Sequence, residues 1–230
     1  MRNLVVEEFQ NWVVTSNPDI STVAVVGGTS ADPEIAVVKR HFPEATIHFL
    51  GIDNSRNDSN YLDLDLNSAP IMNVAKFDLV INSQVLEHVW NLANAFENLA
   101  NLTKPDGFLW VNCPASNMAH GSPAYYSAGY TDGYIAENLK YRNFEILISK
   151  TIGSKRNYFM THILRHWPAE AELKHPVLNY NFQPGSFLGV IRKYLRDLPG
   201  RLLSVAFSNR VVHSIDYATE SVVLAKLRES

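Results

Sequence analysis

The sequence predicts an α/β fold in which helices cover both faces of a mostly parallel, seven-stranded sheet. Short runs rich in Val, Ile, Leu and Phe alternate along the chain with segments of helical periodicity. One of these runs, Phe77–Ile81, is suited to a strand buried on both faces, as strands of parallel sheets are. With 230 residues, 46% of them hydrophobic, residues 1–230 are expected to form a single domain with a proper core.

The first elements have clear boundaries. Leu4–Val14 carries apolar residues at close to helical spacing and predicts a helix over the sheet edge. Val23–Val26 predicts a strand that ends at Gly27–Gly28, and a helix then begins with Asp32 as its cap and Pro33 in its first position. Strand, glycine turn and helix in this order open a Rossmann-type unit, so the sheet is expected to be Rossmann-like.

The remaining elements follow the same rhythm. Further strands are predicted at Thr46–Ile52, Tyr61–Leu66, Phe108–Pro114, Phe144–Lys150 and Glu220–Leu227. Helices are predicted at Trp90–Leu102 and Ile135–Leu139, and a turn at Lys104–Gly107. The strand at Glu220–Leu227 is expected to close the sheet.

Residues 154–210 are expected to form a basic, partly helical insertion before the last strand. From Lys155 to Arg210 there are nine Lys or Arg against three acidic residues, although the whole chain carries a net charge of −3. Ser186–Leu198 predicts an amphipathic helix whose apolar face covers the acceptor site as a lid, pairs in a homodimer, or makes a peripheral membrane contact. The basic side either faces an anionic partner or is simply solvated.

The composition excludes several classes of protein. The single cysteine, Cys113, excludes an internal disulfide framework and fits a reducing compartment. Glu7 and Glu8 interrupt the first apolar segment, so it does not resemble a secretory signal, and no run approaches the ~20 apolar residues of a membrane span. We therefore expect a cytoplasmic protein. The acidic body of the chain disfavours nucleic acid as a partner.

Candidate binding residues follow the predicted strands, at the edge where ligands bind in open α/β sheets. Gly27 and Gly28 would let the backbone approach a ligand closely, because neither has a Cβ atom. Asp53, about 25 residues after the glycine turn, is placed to accept hydrogen bonds from both ribose hydroxyls of a nucleotide-like cofactor.

The segments Phe77–Val89 and Phe108–Pro114 resemble the fourth and fifth strands of class I S-adenosylmethionine-dependent methyltransferases, especially methyltransferase type 11. The resemblance covers roughly residues 20 to 150 and implies S-adenosyl-L-methionine as the cofactor. The family usually shows an acidic residue and then Gly-x-Gly-x-Gly where this chain has Val25–Ser30, which lacks the acid and the later glycines.

The resemblance also assigns cofactor-binding residues. Asp65 with Leu66 would lie beside the adenine ring, and Asp63 is an alternative because alternation places it on the same face as Asp65. The polar residues that follow the fourth strand would pass beneath the methionine portion of the cofactor; they are Asn82, Ser83 and Gln84.

Acceptor residues are implied in the same way. Glu87–His88 is similar to a frequent family pair, and a histidine there can act as general base on a hydroxyl acceptor. His120–Tyr134 is similar to the family pattern His-x-x-Pro-x-Asp-Tyr…Phe-Thr-x-x-Gly, whose loop lines the acceptor pocket. His120 is therefore a second catalytic candidate, and the substrate-binding candidates are Tyr125, Tyr126 and Tyr130. A metal-binding role of the Glu-His pair would require a further acid that is not evident, so no metal is expected.

The sequence thus predicts an enzyme of class EC 2.1.1 that methylates a small-molecule or glycan acceptor, possibly an anionic one, at oxygen. A role in polysaccharide biosynthesis would fit the aromatic loop and the basic flank. The alternative is a catalytically decayed methyltransferase-like domain that serves as a binding or scaffold module. A nicotinamide-dependent oxidoreductase is disfavoured because Gly-x-Gly-x-x-Gly is absent.

Overall fold

The computed structural model describes residues 2–52, 60–72, 74–116, 125–153 and 219–229. Their elements, in chain order, are α1 (Arg2–Ser16), β1 (Thr22–Val26), α2 (Pro33–His41), β2 (Thr46–Gly51), β3 (Tyr61–Asp63), β4 (Phe77–Ser83), a 3₁₀ turn (Leu86–His88), α3 (Leu92–Leu102), β5 (Thr103–Pro114), α4 (Asp132–Lys140), β6 (Phe144–Ile152) and β7 (Glu220–Leu227). The predicted basic insertion at 154–210, with its amphipathic helix, lies outside the described residues.

The seven strands form one sheet in the order β3-β2-β1-β4-β5-β7-β6. Neighbouring strands from β3 to β5 pair in parallel, whereas β7 is antiparallel to both β5 and β6. The predicted mostly parallel, seven-stranded α/β fold is confirmed. The predicted last strand, Glu220–Leu227, joins the sheet as β7 between β5 and β6. Its antiparallel direction pairs Glu220 with Pro114, at the edge where the parallel strands end.

Helices cover both faces of the sheet, as predicted. On one face, α3 and α4 pack on the sheet through buried residues such as Phe96, Leu99 and Ile135. On the other face, α1 and α2 bury Phe9 and Ile35, and Phe9 meets the ring of the central Trp110 edge-on with 5.0 Å between centroids. Burial of large apolar side chains on both faces supplies the main driving force for this arrangement.

Several element boundaries differ from the predicted ones for local reasons. Strand β3 ends at Asp63 instead of Leu66, because the chain turns at Asp65, whose Oδ1 accepts the N–H of Asn67 at 2.9 Å. The predicted helix from Trp90 begins only at Leu92. There the Asn91 side chain accepts the N–H of Asn94 at 3.2 Å and caps the first turn.

The predicted turn at Lys104–Gly107 lies within β5 as an irregularity. Pairing with β4 shifts there from Phe77 with Thr103 to Leu79 with Phe108. Asp106 adopts a positive φ of 60° inside this segment. The predicted turn is therefore present, but β5 pairs with β4 on both sides of it.

A charged cluster fastens the edge of the sheet where the strands begin. Asp78 Oδ2 accepts hydrogen bonds from the backbone and the hydroxyl of both Ser21 and Thr22, at 2.8–3.1 Å. Its Oδ1 accepts from Lys104 Nζ at 2.7 Å. Burial raises the pKa of Asp78, but the hydrogen bonds from Lys104, Ser21 and Thr22 outweigh it and hold the pKa well below its ordinary value. The carboxylate thus joins the starts of β1, β4 and β5.

Among the described residues, no helix combines the length and the apolar character that spanning a bilayer would require.

Candidate active site

The glycine turn after β1 depends on the absence of side chains. Gly27 has φ +74°, and its N–H donates to Leu50 O at 2.7 Å across the end of β2. A Cβ on Gly27 would lie 2.6 Å from Val85 Cγ2, and one on Gly28 would collide with the Asp32 carboxylate. Asp32 takes the predicted position before α2, but its side chain does not cap the helix; its Oδ2 accepts the N–H of Thr29 at 2.9 Å.

Asn82 and Ser83 close the end of β4 against its neighbours. Asn82 is fully buried and donates from Nδ2 to Val26 O at 3.3 Å, which ties β4 to the end of β1. Its Oδ1 has no hydrogen-bond partner among the described residues. Ser83 Oγ donates at 2.9 Å to Oε1 of Glu34, a buried residue in the first turn of α2. The ends of β1 and β4 and the start of α2 are therefore linked at one place.

Gln84 has φ +58°, an uncommon conformation for a residue other than glycine. Its Nε2 donates at 2.8 Å both to Asn112 Oδ1 and to Glu220 Oε2. Asn112 Nδ2 also donates to Glu220 Oε2, at 3.2 Å. The Gln84 side chain is thus turned toward β5 and β7, where it holds a carboxylate.

Glu220 is a candidate functional residue that reasoning from the sequence missed. Burial raises its pKa to about 7, against the opposing effect of the hydrogen bonds from Asn112 and Gln84, and the negative charge of Glu87 adds to the increase. Only the antiparallel insertion of β7 brings Glu220 to the strand ends. An acid at the start of a predicted last strand was the one available signal, and it does not reveal the pairing.

Asp65 and Leu66 lie in the turn after β3. The Asp65 side chain is exposed, and its Oδ1 accepts from both the backbone and the side-chain nitrogen of Asn67, at 2.9 and 3.0 Å. The Leu66 side chain is buried in the core beside α3. Asp63, the alternative to Asp65, is exposed at the end of β3. Their roles at an adenine ring stay predictions.

The turn that contains Glu87 and His88 receives the segment that follows β5. The backbone oxygen of Glu87, a fully buried residue, accepts the N–H groups of Tyr126 and Ser127 at 2.9 and 3.3 Å. His88 Nε2 lies 3.9 Å from Glu87 Oε1, and the rings of His88 and Tyr125 meet edge-on with 6.1 Å between centroids. Burial and the charge of Glu87 raise the pKa of Tyr125. These contacts bring His88 and Tyr125 together.

The three tyrosine candidates differ in their surroundings. Tyr126 is 56% exposed. Tyr130 donates its N–H to Pro114 O at 2.8 Å and stacks on Tyr134 with 5.6 Å between ring centroids. Burial raises the pKa of Tyr130 despite a hydrogen bond with Ser127. The segment is thereby anchored to the end of β5.

Two predicted site residues, Asp53 and His120, lie outside the described residues. Cys113, at the end of β5, is buried, and burial raises the pKa of its thiol far above the ordinary value, as expected of a structural cysteine. Within the described ranges, no three His, Cys, Asp or Glu residues are grouped as a metal site would require.

The order of the strands agrees with a family match. Residues 23–111 match the type 11 family described as "Methyltransferase domain". This part of the chain is therefore similar to type 11 methyltransferase domains. The resemblance to class I S-adenosylmethionine-dependent methyltransferases is thereby confirmed, and S-adenosylmethionine is the cofactor of that class. No curated protein matches the sequence significantly.

Solved structures share the fold of this chain at low sequence identity. The [4+2]-cyclase SpnF has 16% identity and a TM-score of 0.55, covering 98% of this chain and 80% of its own. A coclaurine N-methyltransferase, bound to N-methylheliamine and S-adenosylhomocysteine, has 12% identity and a TM-score of 0.53, covering 96% and 72%. A SAM-dependent methyltransferase from Archaeoglobus fulgidus has 13% identity and a TM-score of 0.51, covering 98% and 94%. At such identities the likeness establishes the fold alone.

Proposed function

We propose that this methyltransferase domain transfers a methyl group from S-adenosylmethionine to an oxygen of a small-molecule or glycan acceptor. The observation that carries the proposal is the docking of the Tyr125–Tyr130 segment on the Glu87–His88 turn, next to the glycine turn and the end of β4. Cofactor and acceptor residues would then meet at one sheet edge, which is where open α/β sheets bind ligands.

The cofactor half of the site would run from β3 to β4. Gly27 and Gly28 are proposed to let the backbone approach the cofactor closely. Asp53 is proposed to bind the ribose, and Asp65 is proposed to bind the adenine amino group. Ser83 is proposed to lie beside the methionine portion. When bound, the cofactor supplies an electrophilic methyl group, so the protein mainly has to align the acceptor with it.

The acceptor half would use His88 as general base. The His88 imidazole would accept the proton of the acceptor hydroxyl while that oxygen bonds to the methyl carbon, and the bond between the methyl group and the sulfonium would break to release S-adenosylhomocysteine. The buried Glu87 carboxylate beside His88 would stabilise the imidazolium that forms. Tyr125, Tyr126 and Tyr130 offer aromatic surfaces on which a sugar ring can stack. His120 is proposed as a second catalytic group. A glycan intermediate of polysaccharide biosynthesis, methylated in the cytoplasm, fits this proposal.

The experiment measures methyl transfer from labelled S-adenosylmethionine to a panel of hydroxylated sugars, sugar phosphates and amines. Transfer to hydroxyl compounds is expected, and transfer restricted to amines would contradict the oxygen assignment. With an accepted substrate, His88→Gln should lower kcat about 100-fold or more, because general-base assistance contributes at least that much. Its affinity for S-adenosylhomocysteine should stay within twofold of the wild type.

His48→Gln provides the matched control. His48 lies within β2 and packs against Phe77 with 5.4 Å between ring centroids. The control variant should keep its turnover. Equal turnover of His88→Gln and the wild type would show that His88 is structural.

A second candidate function is a binding or scaffold domain without catalysis. It is favoured by the turn after β1, where Val25–Ser30 lacks the acid and the later glycines of the family and the Asp32 carboxylate lies over Gly28. Calorimetry with S-adenosylmethionine and S-adenosylhomocysteine separates the two functions. Binding of neither compound would leave the scaffold as the better function.

A further inference from the structure

Glu34, in the first turn of α2, is a buried acid with an incomplete set of partners. Its side chain is 1% exposed. Oε1 accepts from Ser83 Oγ at 2.9 Å. Oε2 is enclosed and has no hydrogen-bond partner among the described residues.

Such a carboxylate is costly unless a donor completes its coordination. Burying an ionised group without compensating hydrogen bonds or an opposite charge opposes folding by several kcal/mol in rough terms. Within the described part of the chain, no Lys, Arg or His forms an ion pair with Glu34. The start of α2 favours the negative charge, since helix N-termini carry partial positive charge, but it does not supply the missing donor. Among the residues that the structure describes, Oε2 of Glu34 therefore has no cationic hydrogen-bond donor.

The position of Glu34 connects it to the cofactor half of the site. Val26 of β1 pairs with Asn82 of β4, so Gly27 and Ser83 follow side by side at the same edge. Glu34 reaches this edge from the helix that follows the glycine turn. The residue before that turn where the family has its acid is a valine here, Val25, which is buried.

We propose that Glu34 is a cofactor-binding residue whose carboxylate, held by Ser83, accepts a hydrogen bond from the α-ammonium group of the methionine portion of the cofactor. The inference rests on the proposed function and adds a residue outside the glycine turn to it. An ammonium group carries three N–H donors and a positive charge, so it satisfies the buried oxygen and neutralises the acid together. An acid supplied by α2 would then replace the acid that is missing before Gly27.

The test compares S-adenosylhomocysteine with its des-amino analogue, in which hydrogen replaces the α-ammonium group, by calorimetry. Glu34→Gln keeps the shape and an acceptor for Ser83 but removes the charge. The variant should bind S-adenosylhomocysteine about tenfold more weakly, because a charge-assisted hydrogen bond contributes at least that factor. Its affinity for the des-amino analogue should change less than twofold. The wild type should bind the analogue about tenfold more weakly than S-adenosylhomocysteine.

Glu44→Gln, at an exposed position after α2, is the matched control and should leave both affinities unchanged. Ser83→Ala serves as a second variant if Glu34→Gln unfolds. It should also lower the affinity for S-adenosylhomocysteine more than the affinity for the des-amino analogue. The proposal would be overturned if these variants lost affinity equally for both ligands, or lost affinity for neither. If the wild type binds neither compound, both the proposed function and the role of Glu34 fail. If the wild type binds both compounds tightly and equally well, only the role of Glu34 fails.

Discussion

Glu220 links the start of β7 to the ends of β4 and β5 through one carboxylate oxygen. Gln84 and Asn112 both donate to Oε2, and they hold the side chain at the edge of the sheet where the proposed acceptor residues lie. The positive φ of Gln84 is a local cost that this arrangement offsets. A carboxyl group in this setting exchanges its proton near neutral pH, since burial raises its pKa to about 7.

Glu220→Gln should therefore change how stability depends on pH. A carboxyl group whose pKa is higher in the folded than in the unfolded protein stabilises the fold below its ordinary pKa and loses that contribution as pH rises through the folded value. For Glu220 this window runs from its ordinary value of 4.5 to about 7. The free energy of unfolding of the wild type should fall relative to that of Glu220→Gln by on the order of 3 kcal/mol between pH 4 and pH 8.

Urea unfolding at several pH values measures this difference. Glu44→Gln, at an exposed position, should run parallel to the wild type over the same range. A constant difference between the wild type and Glu220→Gln would mean that the acid titrates alike in the folded and unfolded chain.

At the scale of elements, Asp78 fastens three strands where they begin, at the edge opposite the candidate site. It accepts from Ser21, Thr22 and Lys104, and its lowered pKa means that the charged form is favoured by folding. Asp78→Asn keeps one oxygen acceptor, but its amide nitrogen replaces the other oxygen and cannot accept hydrogen bonds from the donors that surround it. We expect a loss of on the order of 2 kcal/mol in the free energy of unfolding at pH 7.

The sign of the pH effect is opposite to that of Glu220. The contribution of Asp78 is present above the ordinary pKa of an aspartate and is lost as pH falls through the folded value, so the variant and the wild type should converge in acid. Asp19→Asn, at an exposed position two residues before Ser21, should not be destabilised. Equal stability of Asp78→Asn and the wild type at pH 7 would mean that the cluster contributes nothing.

Elements with a strong pattern were predictable from the sequence, and contacts between distant segments were not. The sequence predicts strands at Phe77–Ile81 and Glu220–Leu227 because short apolar runs bounded by polar residues are typical of buried strands. No pattern in the sequence around Glu220–Leu227 indicates that this strand lies between β5 and β6. For that reason, the hydrogen bond between Gln84 and Glu220, 136 residues apart, could not be foreseen.

The site shows the same division. Gly27 could be predicted because a glycine directly after a strand indicates a tight turn, and the structure gives it φ +74°. The sequence shows only that Glu34 lies in the first turn of α2, since its burial depends on Ser83 and on how α2 packs. Gln84 was expected beneath the cofactor, whereas its side chain contacts Asn112 and Glu220.

At the scale of the whole molecule, the two edges of the sheet have different electrostatics. The edge where the strands begin pairs a partly buried charge with donors, as Asp78 does with Lys104. The opposite edge holds acids with raised pKa or incomplete partners, Glu220 and Glu34. Functional sites commonly contain acids of this kind, because burial and neighbouring charges adjust their pKa values to the chemistry of the site.

The last prediction uses this separation of the two edges. A ligand that binds only the folded state at 100 times its Kd adds about 2.7 kcal/mol to the free energy of unfolding. For a domain of this size that corresponds to a rise in Tm of roughly 5–10 °C. Saturating S-adenosylhomocysteine should produce this shift in the wild type, measured by differential scanning calorimetry. Asp78→Asn should start from a lower Tm and show the same shift, because distant sites contribute additively. An unchanged Tm in the wild type would favour the scaffold function, and a shift lost only in Asp78→Asn would show that the two edges are coupled.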